Sequence, residues 1–98
     1  MNTLERLKGW LANEGMLTLP MLKIRPYFRT TNGINISIQM SSKHHCKVDE
    51  SVEMWNCPPS PLLMAFGDGQ DPYAYVPLDV VAGYIDSLES LGENHDYN

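Results

Sequence analysis

Asn32-Gly33-Ile34-Asn35-Ile36-Ser37-Ile38-Gln39-Met40 is the stretch around which the chain is organised. Ile34, Ile36, Ile38 and Met40 fall at every second position, with Asn35, Ser37 and Gln39 between them. That is the period-2 pattern of a strand with one face buried and one face wet. Asn32-Gly33 supplies two residues that tolerate positive φ, as a tight type I′ turn requires, so the preceding segment is predicted to fold back antiparallel. The partner segment runs from Met21 to Arg29, with Met21, Leu22, Ile24, Tyr27 and Phe28 apolar. Pro26 removes an amide hydrogen in its middle, which confines the segment to a sheet edge or forces a bulge.

Upstream, Met16 to Leu19 is an apolar run ended by Pro20, too short to assign. A helix precedes it. Asn2 and Glu5 stand at capping-box spacing, Leu4, Leu7 and Leu11 repeat at 3 and 4, Trp10 lies beside the stripe as a core residue, and Gly15 is a C-terminal stop. Downstream, Ser41 to Lys47 breaks the alternation and reads as a loop. Ser51 to Asn56 reads as a third strand, with Val52 and Met54 on one face and Glu53 and Trp55 on the other. Cys57-Pro58-Pro59-Ser60-Pro61 blocks regular structure, because its prolines remove donors and fix φ. Leu62 to Phe66 is again apolar, Gly67 to Pro72 forms turns, and Tyr73 to Val76 reads as a last strand.

Pro77 to Leu91 is predicted as a terminal helix. Leu78, Val81, Ile85 and Leu88 recur at 3, 4 and 3, with Tyr84 and Leu91 flanking and Gly92 at the end. Pro77 suits a first turn, where its missing amide hydrogen would have no helical partner in any case. The order helix, strands, helix predicts one α+β domain over residues 1–98. It is an antiparallel sheet of three to four strands with an N-terminal and a C-terminal helix packed on one face, and residues 94–98 are a frayed tail.

A chain of 98 residues supports a single core. No apolar run approaches the roughly 18 residues of a membrane span, and the opening Met-Asn-Thr-Leu-Glu-Arg-Leu-Lys lacks the apolar core of a signal peptide. A cytoplasmic location is expected. Two cysteines, Cys46 and Cys57, are too few for a disulfide framework.

The net charge of −5 conceals a segregation. All seven Lys and Arg residues lie in the first 47 positions with only Glu5 and Glu14, a net of +5, whereas from Val48 onward ten acids and no Lys or Arg give −10. Such asymmetry bears on partners rather than on fold, and mutual neutralisation of the two halves is its plain alternative. Asp79, Asp86, Glu89 and Glu93 line the helix opposite its apolar stripe in steps of 7, 3 and 4, an acidic ridge in which residues three and four apart are neighbours at about 5–6 Å. Asp49, Glu50, Glu53, Asp68 and Asp71 add secondary acidic positions.

Chemical motifs are sparse. His44, His45, Cys46 and Cys57 are the candidate zinc ligands or thiol–imidazole pair, but their spacing fits no zinc knuckle, and adjacent strand residues point to opposite faces. The plainer reading makes the cysteines small buried residues and the histidines polar loop residues. Gly67-Asp68-Gly69-Gln70-Asp71-Pro72 lacks the ligand spacing of a calcium loop. Tyr27 and Phe28 between Arg25 and Arg29 could stack bases, but a pI near 4.9 opposes direct nucleic-acid binding. No cofactor is expected, and no enzymatic activity.

Ser37 to Cys46, then Val52-Glu53-Met54, then Tyr73-Ala74-Tyr75-Val76-Pro77-Leu78-Asp79-Val80-Val81 resembles small uncharacterised bacteriophage proteins. It departs from their pattern at Lys47-Val48, where Pro-Arg usually follows the cysteine. The resemblance implies a stoichiometric inhibitor of a host enzyme, as the anti-CRISPR proteins are, acting in the bacterial host cytoplasm as a monomer or homodimer. The expected partner is a host protein or ribonucleoprotein with a basic groove, such as a CRISPR effector, which the carboxylates occupy in place of phosphates. A small metal-binding or thiol-dependent module is one alternative. A virion structural component anchored by Trp55 and Tyr75 is the other.

Overall fold

A computed structural model of the chain describes residues 2–13, 17–19, 22–41, 45–67 and 72–93. In chain order its elements are α1 (Thr3–Asn13), β1 (Leu17–Leu19), β2 (Leu22–Ile24), β3 (Phe28–Arg29), β4 (Asn35–Gln39), β5 (Ser51–Trp55), a 3-10 helix (Pro61–Phe66), β6 (Tyr73–Pro77) and α2 (Leu78–Glu93). Strands β3, β4, β5 and β6 form an antiparallel sheet in sequence order, and β1 pairs with β2 in a separate ribbon. The architecture is α+β, as the sequence predicts. The expected Gly15 stop, turn residues 68–71 and tail 94–98 lie outside the described residues.

The hairpin forms with Phe28 opposite Ile36 and Arg29 opposite Asn35, but its turn is not type I′. Gly33 has φ +88°, whereas Asn32 is not among the residues with positive φ. The loop is instead three residues long. Thr30 N donates to Ile34 O and Gly33 N donates to Thr30 O, the usual close of a three-residue hairpin with glycine in the left-handed position. Asn32 spends its side chain elsewhere, donating from Nδ2 to Leu88 O at 2.8 Å and fastening the turn to α2.

Pro26 divides the segment Met21–Arg29 more deeply than expected. Ile24 ends β2, which pairs with β1, and the chain resumes as β3 at the edge of the main sheet. The residue before a proline is driven to extended backbone, so Arg25 needs partners outside a ladder. Gln39 supplies them: Arg25 N donates to Gln39 Oε1 at 2.8 Å, and Gln39 Nε2 donates to Arg25 O at 3.0 Å.

One face of the sheet carries the core. Ile36, Ile38, Val52, Met54 and Val76 are fully buried and pack with Leu7 and Leu11 of α1 and Val81, Tyr84, Ile85 and Leu88 of α2. The capping box of α1 forms as read: Glu5 N donates to Asn2 Oδ1 at 2.8 Å and Asn2 N to Glu5 Oε1 at 3.2 Å. Helix α2 begins at Leu78 with Pro77 still paired to Ser51, and it continues past Gly92 to Glu93. Strand β5 stops one residue before Asn56, whose φ of +56° turns the chain. The apolar run Leu62–Phe66 is a 3-10 helix begun by Ser60, whose Oγ accepts from Leu62 N.

Candidate functional site

The acidic positions divide into two groups once folded. Asp79 and Asp86 stand exposed on α2, seven residues and thus about 10 Å apart along its axis. Asp49 and Glu50 are exposed in the turn before β5, and Leu78 N donates to Glu50 O at 3.3 Å, which sets this turn against the start of α2. These four exposed acids, on the turn and the helix that this bond joins, make up the acidic strip. Lys47 Nζ lies 3.0 Å from Glu50 Oε2, both well exposed, a geometry that contributes little to stability.

Glu89 and Glu53 belong to the second group. The Glu89 side chain is only 14% exposed, and its Oε2 accepts from Arg6 Nη2 at 2.7 Å and from Thr31 N at 2.9 Å. Asp86, though exposed, accepts from the Thr3 hydroxyl. The basic and acidic halves therefore meet along the α1–α2 seam, and the ridge read from the sequence presents Asp79 and Asp86 more freely than Glu89. Glu93 is the last residue of α2. Asp68 and Asp71 lie outside the described residues.

Glu53 stands in the middle of β5, on the sheet face away from the helices as the alternation predicts, and is 5% exposed. Its Oε2 lies 2.8 Å from His45 Nδ1, and the imidazole itself is 76% exposed. Gln39 is its cross-strand partner and Trp55 its neighbour two residues on. Opposite Glu53 the ladder is irregular. Val52 pairs with Val76 and Met54 with Tyr73, so Ala74 and Tyr75 together oppose Glu53 as a bulge. Tyr75 has φ +54°, its amide donates to His45 O at 3.0 Å, and its side chain is exposed.

The candidate metal or thiol residues do not converge. Cys46 Sγ donates to Ser41 O at 3.5 Å and Cys57 Sγ to Trp55 O at 3.3 Å. His44 lies outside the described residues, and among the described residues no three His, Cys, Asp or Glu side chains are grouped to hold a metal ion. The possible stacking pair Tyr27 and Phe28 is likewise divided. Tyr27 is exposed, whereas Phe28 is buried, with Trp10 edge-on at 5.2 Å and the Arg6 guanidinium 5.8 Å from its ring centre.

Arg25 is the most constrained charge. Its Nη1 donates to Met40 O at 2.6 Å and its Nη2 to Leu11 O at 2.9 Å. It thereby brings a cation to the last turn of α1, which has no basic residue of its own. Its Nε is buried without a partner. Burial pushes the guanidinium below its usual value, and Cys46 acts in the opposite sense. Nothing in the spacing of Arg25 and Gln39 announced this contact, although Pro26 marked the place where ladder bonding had to fail.

No protein-family model, curated protein or solved structure matches the chain. No helix among the described residues is long and apolar enough to cross a membrane.

Proposed function

We propose that this chain is a non-enzymatic, phage-type inhibitor that binds a basic groove on a host nucleic-acid-processing or defence complex and denies that groove to nucleic acid. The observation that carries the reading is the exposure of Asp49, Glu50, Asp79 and Asp86, on a turn and a helix joined by the Glu50–Leu78 backbone bond. A row of carboxylates at fixed spacing on a rigid helix offers a basic cleft the same sign of charge as a phosphate backbone. It costs less ordering entropy than a flexible acidic tail would. The phage-like sequence pattern supplies the context, and the low pI opposes direct nucleic-acid binding.

Capture of tagged protein from a bacterial lysate, in parallel with the Asp79→Lys, Asp86→Lys double variant, tests the reading. The expected result is a nucleic-acid-binding protein enriched by the parent chain and lost with the variant. Identical partners for both chains would rule the strip out as the binding surface. Both positions are exposed and the bond lost from Asp86 to the Thr3 hydroxyl is a surface one, so the variant is expected to fold.

A further inference from the structure

We infer that the sheet face opposite the helices is a recognition site for a cationic side chain, an arginine carried on an exposed segment of a protein partner. This surface is distinct from the acidic strip, and the inference does not rest on it. Three independent features coincide there.

The first is a carboxylate where a sheet face seldom keeps one. Glu53 is 5% exposed in mid-strand, and the basic group described against it is the His45 imidazole, 76% exposed. A guanidinium makes two parallel hydrogen bonds to a carboxylate where an imidazole makes one, so an arriving arginine has the advantage over this occupant. The second is a pair of large exposed aromatics flanking that carboxylate. Trp55, 44% exposed, is two residues along the same strand, and Tyr75, 56% exposed, stands in the bulge directly across from Glu53. Neighbours on one face of a strand are about 7 Å apart, and cation–π contact extends to about 6 Å from a ring centre. A guanidinium that displaced the His45 imidazole from Glu53 would stand beside the strand positions of both aromatics.

The third is strain. Tyr75 holds φ +54°, a conformation rarely adopted by a bulky residue, and its amide is fixed there by His45 O. The bulge keeps Tyr73 and Val76 in the core while turning the Tyr75 ring to solvent. Strain of this sort gathers at binding sites. Charge decides the class of occupant. Bases also stack on tryptophan and tyrosine, but a carboxylate on the neighbouring strand position repels the phosphates that accompany them.

The test is an NMR titration with a blocked pentapeptide of alternating glycine and arginine, beside the same peptide with citrulline in place of arginine. The expected result is a saturable shift of the Trp55 indole and Tyr75 amide signals with arginine, at least fivefold weaker with citrulline. Trp55→Ala and Tyr75→Gly are each expected to weaken binding at least fivefold. Glycine accepts positive φ, so loss of binding by Tyr75→Gly reports the ring rather than misfolding. Asp79→Asn with Asp86→Asn is expected to change the affinity less than twofold, which separates this face from the acidic strip. Equal response to both peptides, insensitivity to both aromatic substitutions, shifts that follow protein concentration without peptide, or no saturable response up to about 10 mM peptide would each overturn the inference.

Discussion

Arg6 and Glu89, 83 positions apart, meet at 2.7 Å between Nη2 and Oε2 on the α1–α2 seam. The same carboxylate oxygen accepts from Thr31 N, so one side chain ties the N-terminal helix, the β3–β4 turn and the C-terminal helix together. Asn32, donating to Leu88 O, makes a second fastening beside it. The charge segregation of the sequence is thus partly spent inside the fold.

Removal of that junction is expected to be felt. Glu89→Ala leaves Arg6 and the Thr31 amide without their acceptor and is expected to cost about 1–3 kcal/mol, measured by urea unfolding. Arg6→Met alone is expected to cost less, because Glu89 keeps its bond to Thr31. The double variant should show coupling of about 1 kcal/mol. Additive effects would mean that the two side chains do not act together.

Arg25→Met removes the donors to Met40 O and Leu11 O and is expected to destabilise by about 2–4 kcal/mol, with faster amide exchange in the last turn of α1. Arg25→Lys is expected to restore only part of this, since one ammonium cannot reproduce a planar fork spanning two carbonyls. The guanidinium value is lowered by burial, so the unfolded chain holds this proton more tightly than the folded one. This contribution therefore makes stability rise with pH only in the strongly alkaline range, and it stays constant around neutrality. A stability profile that changed between pH 6 and 8 in the parent but was flat in Arg25→Met would contradict that assignment.

Two positions with positive φ give substitutions of opposite sign. Gly33→Ala would place a Cβ 3.5 Å from Arg29 Nη2, an ordinary contact, so its cost is conformational. About 1–2 kcal/mol is expected at φ +88°. Tyr75→Gly relieves the strain at φ +54° and, with an exposed ring lost, is expected to raise stability by up to about 1 kcal/mol. Thermal unfolding of both variants checks the pair, and a destabilised Tyr75→Gly would show the ring to be structural.

The hairpin, the capping box and both helices were legible because each has a local cause: period-2 alternation, Asn2 with Glu5, and the stripe Leu78, Val81, Ile85, Leu88. Asn32 does not take positive φ, because Asn-Gly tolerates that conformation without requiring it. Tertiary bonding from Asn32 to Leu88 and the bond from Gly33 N to Thr30 O hold the three-residue loop instead. Sequence periodicity placed Glu53 on the face away from Val52 and Met54 correctly, yet it carried no sign of the carboxylate's burial. The loop that brings His45 over Glu53 returns from a segment with no periodicity at all. Likewise, the partition of the acidic ridge depends on Arg6 and Thr31, which only the folded chain sets beside Glu89.

Capture of the tagged chain from lysate at low and high salt, each with and without nuclease, tests most directly the claim that it occupies a partner's basic groove. The expected result is a nucleic-acid-binding protein that stays bound after nuclease treatment and is released by salt, since exposed charge pairs are screened within about 10 Å at 0.1 M. A bound set that vanishes on nuclease treatment, or that is indifferent to salt, would contradict it.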